Sequence, residues 1–371
     1  MSETSPCQTA ENPNTLDRRA LLVGTGVATA GLATYALWSG FKSDGRTPVF
    51  IARAESYSAP LERIISDGLV AVGLDRGWIR GRKVLLKPNL VEPMRSSPFM
   101  TTNPAVVVAT AEVFRRWGAE VKVGEGPGHV RDTELALVES SMEPALDSAK
   151  LKFVDLNYDE IGAAPNRGGV CKLRTFHFPR AVLEADLVVS LPKLKTHHWV
   201  GITAAMKNLY GVMPGIKYGW PKNVLHHAGI PQTVVDINAS LPKTMAVVDG
   251  IACMEGDGPI MGSLKQLGII AVGANLPALD ATLARIMAID PAQISYLQLA
   301  ANRMGPIDDA QIVQRGERWQ PLVTPFEILN VPHLQNLRPS HAAGIKTSAA
   351  PPCPGRRARQ RACGGDPRAW V

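Results

Sequence analysis

Seven short apolar runs punctuate the chain, and stretches with helical patterning separate them. They are Val49-Phe-Ile-Ala-Arg, Lys83-Val-Leu-Leu-Lys, Glu120-Val-Lys-Val, Lys152-Phe-Val-Asp, Asp186-Leu-Val-Val-Ser-Leu, Met245-Ala-Val-Val-Asp and Leu267-Gly-Ile-Ile-Ala-Val. Such alternation is the mark of βαβ units, in which a largely parallel sheet is covered by helices on both faces. The expected fold is α/β: a doubly wound, mostly parallel sheet with an inserted loop or hairpin region at 160–178. Helices are expected from about Ala59 to Gly73, near Thr133 to Lys150, and from Leu279 to Ile289. Another should start at an Asn103 cap and Pro104 and run to Trp117, with Gly118 as its stop.

The chain has 371 residues, 45% of them hydrophobic and 20% charged, which is enough for a sizeable core. Its formal net charge of +7 would suit a nucleic-acid partner. The position of that charge excludes one. From Arg338 onward there are seven basic residues and one acid, so the rest of the chain carries only +1. No nucleic acid is expected as a partner, because the basic face that dominates such binding is missing from the fold. The five cysteines are Cys7, Cys171, Cys253, Cys353 and Cys363, with no C-x-x-C spacing. Only Cys171 and Cys253 fall in the central region, so this chain alone offers neither a disulfide framework nor the ligands of an iron–sulfur cluster. The cofactor, if any, is left unknown.

The two ends differ in kind from the middle. Arg18-Arg19 precedes an uncharged apolar run, Ala20 to Trp38, rich in Gly, Ala and Thr. Paired arginines before such a run are an export address. Residues 1–42 are therefore expected to be a twin-arginine (Tat) signal, which becomes a membrane anchor through residues 20–38 if it stays uncleaved. The Tat translocase would be the partner during export, and the product would sit in the periplasm or on the outer face of the cytoplasmic membrane. Residues 47–335 are expected to form the α/β domain. Residues 340–371 are Pro-, Ala-, Arg- and Gly-rich with few large apolar side chains, the composition of a disordered basic tail.

In doubly wound sheets ligands bind beyond the carboxyl ends of the strands. Here those ends carry charge beside Gly or Pro: Lys87 and Asn89, Glu125 and His129, Lys195, Thr196 and His197, and Asp249. The stretch from Lys193 to His227 adds Lys207, Asn208, Lys217, Lys222, His226 and His227. Lysines hold carboxylate or phosphate as point charges, and a desolvated lysine can act as base or imine former. Histidine moves protons near neutral pH or ligates metal. The expected catalytic set is His197, His226, Lys207, Glu125 and Asp249, with His197 foremost. The expected substrate-binding set is Lys87, Asn89, Lys195, Thr196, Asn208 and Lys217. Lys87, Glu125, Lys195, His197, Lys207, His226 and Asp249 should share one pocket.

Seven ordered motifs resemble the family called domain of unknown function 362. They are Lys-Pro-Asn at 87–89, Thr-Thr-Asn-Pro at 101–104, Gly-Glu-Gly at 124–126, Leu-Pro-Lys-Leu-Lys-Thr-His at 191–197, Met-Lys-Asn-Leu-Tyr-Gly at 206–211, Val-Asp-Gly-Ile at 248–251 and Met-Glu-Gly-Asp-Gly-Pro at 254–259. The resemblance spans about residues 49–300. Some members of that family add a ferredoxin-like module, whose cysteines this chain lacks. A weaker similarity is to nickel-pincer lactate racemases, which place a lysine in a small-residue loop, then Pro-Gly, then a histidine. Ala204-Ala-Met-Lys207, Pro214-Gly215 and His226 follow that order.

Three functions fit these residues. The first is an exported enzyme acting on a small anionic substrate, carboxylate or phosphate, with Lys/His chemistry. The second is a periplasmic binding protein for a small anion or a metal. The third is an accessory subunit of a membrane redox system.

Overall fold

A computed structural model describes residues 45–338 except 130 and 302. The expected signal and anchor (1–42) and the expected tail (340–371) lie outside the described residues.

Twelve strands occur among them. β1 is Thr47–Arg53, β2 Lys83–Pro88, β3 Glu120–Glu125, β4 Lys152–Asp155, β5 Ile161–Pro165, β6 Thr175–Pro179, β7 Leu187–Leu191, β8 Lys193–His197, β9 Gly201–Thr203, β10 Thr244–Glu255, β11 Ser263–Gly273 and β12 Ile312–Gly316. Ten of them form one sheet, ordered β12-β1-β11-β10-β7-β2-β3-β4, with β8 on β10 and β9 on β8. The run from β10 through β7, β2 and β3 to β4 is parallel throughout. β11 and β1 continue it antiparallel, and β12 lies parallel to β1. β5 and β6 make the inserted hairpin as a separate two-stranded sheet.

Alternation along the central strands explains the two-sided burial. Leu85, Val188, Ala246 and Val248 join one apolar cluster, together with Val234 and Ile237 of helix Ile230–Ser240 and Leu279 and Leu283 of helix Leu276–Ile286. Val84, Leu86, Val189 and Val247 join the other, with Ile65 and Leu69 of helix Leu61–Ala71 and Val107 and Phe114 of helix Pro104–Arg116. Successive side chains on a strand point to opposite faces, so one hydrophobic run supplies both cores. This is the doubly wound α/β arrangement.

Local signals set the helix ends. Asn103 accepts from Ala105 N, Pro104 opens the helix, and Gly118 stops it at φ +86°. The closing helix starts earlier than its apolar pattern suggests, at Leu276, because Asn275 caps it by accepting from Ala278 N. The stretch expected as one helix near Thr133 to Lys150 is two, Thr133–Glu139 and Met142–Ser148, divided where Ser141 takes a left-handed φ of 58°. The largest departure is at Lys193–His197. It reads as a polar strand end but is itself a strand, β8, turned back antiparallel onto β9. Leu194 faces the first core cluster, while Lys193 and Lys195 are both fully buried elsewhere.

The parallel strands place the site. Reading outward from β2, strands β3 and β4 follow in sequence on one side, and β7 and β10 on the other. The order therefore reverses between β2 and β7. The carboxyl ends of these two strands open a crevice, the usual position of a ligand in an open α/β sheet.

Candidate functional site

A cavity of about 290 Å³ opens at that reversal. Its lining includes Lys87 and Asn89 from the end of β2, Glu125 from the end of β3, Lys195 and His197 from β8, and Lys207, Asn208 and His226 from the region that follows. Six of the seven residues expected to share a pocket line it; Asp249 does not. Asp249 is fully buried and accepts from Lys193 Nζ at 2.6 Å and Asn103 N at 2.9 Å, while Tyr57 donates to it at 3.1 Å. Two expected binding residues are also placed elsewhere. Thr196 turns its hydroxyl to Gly256 O at 2.9 Å, because alternate residues of β8 face opposite ways. Lys217 is exposed on the short helix Gly215–Tyr218 and does not line the cavity.

The floor of the cavity is a polar lattice. Lys87 Nζ donates to Pro88 O at 2.8 Å and Asn208 Oδ1 at 3.0 Å and pairs with the buried Glu125 carboxylate. Burial pushes the Lys87 ammonium down and the Glu125 carboxyl up, and their mutual attraction opposes both shifts. Asn208 uses its amide fully, donating to Lys87 O and Ser190 Oγ, each at 3.0 Å, and accepting from Asn89 Nδ2 at 3.2 Å. Lys195 Nζ donates to Asn89 Oδ1 at 2.9 Å, Met100 O at 2.7 Å and Pro259 O at 3.1 Å. Burial, then the charges of Lys193, Lys207 and Lys87, push Lys195 well below the usual lysine range. A methyl group at Gly211 would stand 2.5 Å from Lys87 Nζ and 2.6 Å from Glu125 Oε1, so this close approach requires glycine.

The walls carry the remaining titratable groups. Lys207 sits on the turn Ala205–Asn208, which Asp280 anchors by accepting from Ala205 N at 2.7 Å and Met206 N at 3.1 Å. Tyr296 donates to the same carboxylate at 3.1 Å, and burial pushes Asp280 up to about 7. Burial, then the Lys87 charge, pushes Lys207 down to about 8. Its Nζ lies 4.4 Å from the centre of the Tyr210 ring, on which His226 also stacks at 5.8 Å. Burial and the Lys207 charge hold His226 down at about 4. His197 Nδ1 accepts from Trp199 N at 3.1 Å, and burial followed by the Lys207 charge pushes the ring well below its usual value. A neutral ring with Nδ1 occupied carries its proton on Nε2 and acts as a donor.

Among the lining residues outside the expected site set, Lys222 and Thr203 carry polar groups aimed at the cavity's interior network or left unpartnered. Lys222 Nζ donates to Asn157 Oδ1 at 3.1 Å and Met213 O at 2.5 Å, and burial pushes it down to about 7. Its only sequence signal was membership of the Lys/His-rich stretch. Thr203 faces Lys195 across the β8–β9 ladder, and its buried hydroxyl has no hydrogen-bond partner among the described residues. No sequence signal marked it. His129 lines the mouth, half-exposed, with Nδ1 3.8 Å from Glu92. Among the described residues no three His, Cys, Asp or Glu side chains gather to hold a metal ion. A second and more open groove, about 870 Å³, runs along helices Leu61–Ala71 and Pro104–Arg116 and holds none of these lysines or histidines.

Comparison with known proteins agrees with the motifs. The chain is 28% identical over 261 residues to Thylakoid-associated protein sll1697 of Synechocystis sp. (strain ATCC 27184 / PCC 6803 / Kazusa), which covers 69% of this chain and 79% of that one. Among solved structures, the lactate racemase apoprotein from Thermoanaerobacterium thermosaccharolyticum aligns with a TM-score of 0.38 at 17% identity. That alignment covers 63% of this chain and 56% of the racemase, so the chain spans little more than half of its length. The profile of the family described as Domain of unknown function (DUF362) matches residues 84–285, which takes in the strands, lysines and histidines that build the cavity, and the chain belongs to that family.

Proposed function

We propose that the cavity binds a small anion, a carboxylate or a phosphate, and that the protein is an enzyme acting on it with lysine and histidine chemistry. One observation carries this reading: four lysines, Lys87, Lys195, Lys207 and Lys222, line a cavity whose one buried carboxylate is Glu125. Cations desolvated without matching carboxylates raise the potential of the cavity, and an anion entering it would relieve that cost. Thr203 supplies a buried hydroxyl in need of a partner. In this reading Lys222 keeps one ammonium hydrogen for the ligand, since two are used within the protein. His197 donates from Nε2, and His226, held neutral, accepts a proton. Asp249 leaves the catalytic set and Lys217 and Thr196 leave the binding set, because none of them lines the cavity.

The name of the cyanobacterial relative places that protein at the thylakoid. This fits export or membrane association of the present chain, which Arg18-Arg19 also implies. Cell fractionation checks it. For binding, calorimetric titration with acetate and with inorganic phosphate is the test. The wild-type chain should bind one such anion, and Lys222→Gln should weaken it about tenfold or more, the loss of one charge-assisted hydrogen bond. Absence of binding by the wild type, or equal affinity in the variant, would remove the assignment.

A further inference from the structure

The four cavity lysines are not equally free. Lys87 Nζ is held by Pro88 O, Asn208 Oδ1 and Glu125, and Lys195 Nζ by Asn89, Met100 and Pro259. Lys222 Nζ gives two hydrogens to Asn157 and Met213. These three side chains are almost completely buried, whereas Lys207 is only partly so. Among the described residues Lys207 Nζ has neither a hydrogen-bond acceptor nor a carboxylate. It is held by the face of Tyr210, an attraction that leaves its nitrogen open to another reactant.

We propose that Lys207 is the nucleophile of this site, and that its amine condenses with the carbonyl carbon of a small 2-oxo carboxylate to form an imine. The inference rests on the anion-site reading and deepens it. An open amine asks for an electrophilic carbon, and the cations around it ask for a negative charge close to that carbon. A carbonyl next to a carboxylate meets both demands within about 290 Å³.

The step balances without an oxidant or reductant. The free amine gives its lone pair to the carbonyl carbon, and the π electrons pass to oxygen. Proton transfer from nitrogen to oxygen yields a carbinolamine, a second proton releases water, and the nitrogen keeps one hydrogen as a protonated imine. Counted from the ammonium form, Lys–NH3+ and the carbonyl give the protonated imine and water. His226 is placed to carry the proton, because its ring stacks on the Tyr210 ring that Lys207 also contacts and it feels the Lys207 charge. The carboxylate would take the remaining hydrogen of Lys222 and lie in the field of Lys87 and Lys195. Lys207 at about 8 provides free amine near neutral pH that an exposed lysine does not.

The test is reductive trapping on the full chain. The protein is incubated at pH 8 with pyruvate or glyoxylate and sodium cyanoborohydride, and labelled peptides are read by mass spectrometry. Lys207 should label about tenfold or more faster than exposed Lys217, because burial lowers its amine to about 8. Lys207→Arg keeps a cation at Tyr210 and should lose the label at that position while its melting temperature stays close to wild type. If Lys207 in the wild type labels no faster than Lys217, the imine inference is overturned, whether or not the variant folds. Acetate binding measured on the same sample separates the two readings. Retained binding with no selective label removes the nucleophile alone, and loss of both removes the anion site as well.

Discussion

Lys193 and Lys195 stand two residues apart on β8, and both are fully buried. Lys193 meets a carboxylate, Asp249, and the Tyr57 hydroxyl at 2.8 Å. Lys195 meets three neutral oxygens and opens on the cavity. The difference comes from β10. Lys193 lies opposite Asp249 on that strand and Lys195 opposite Met254, so a step of two along β8 answers a step of five along β10. This irregularity gives one lysine a counter-ion and denies it to the other. The neutralised lysine closes the structure beside the cavity, and the other adds to the unbalanced charge within it. Burial of a charge therefore does not identify a site; the absence of its counter-charge does.

The largest effect expected from this contrast is on stability. Asp249→Ala leaves Lys193 buried without a counter-ion and removes the acceptor of Asn103 N, which should cost about 3–5 kcal/mol. Chemical denaturation measures it. A loss near zero would mean that the pair is not the closed structural unit described here.

Lys195→Met should cost less, about 1–3 kcal/mol, because it removes a buried charge but leaves Asn89 Oδ1, Met100 O and Pro259 O without their donor. Its anion affinity should fall clearly. Asp249→Ala protein that remains folded should keep most of its affinity for acetate. Reversal of these two patterns would assign the site to the Lys193 side.

The smallest effect concerns pH. Lys222 at about 7 and Lys207 at about 8 attract an anion only when protonated. Acetate stays ionised through this range, so its binding should be strongest below pH 7 and weaken as pH rises through 8. The expected loss between pH 6 and pH 9 is about tenfold or more. A flat profile in that window would show that neither lysine contributes its charge to binding.

Much of this architecture was legible in the sequence. The seven apolar runs are β1, β2, β3, β4, β7, β10 and β11, and the insert at 160–178 is the β5–β6 hairpin. The central ones were readable because a strand covered on both faces is mostly apolar, and the flanking ones because their apolar residues still stand out between helical stretches. The placement of Lys87, Glu125 and Lys195 at one sheet edge was readable from the rule that parallel strands share their carboxyl ends. The segment Lys193–His197 is harder to read. Lys-Leu-Lys-Thr-His alternates as a strand should, but charged residues rarely point inward, and the pattern reads as a loop. Asp249 was misplaced for a related reason. It closes its apolar run as Lys87 closes that of β2, but it lies inside β10, and only the cross-strand register shows that it faces Lys193.

The sequence by itself determined the covered α/β sheet and the set of polar strand ends, because periodicity and strand polarity are local properties. Tertiary structure decided which charges are paired. A lysine's partner lies on a distant segment, as Asp249 does from Lys193 across 56 residues and Asn89 from Lys195 across 106. A lysine therefore becomes a structural ion, a source of field or an open amine only when folding has set the distances between those segments.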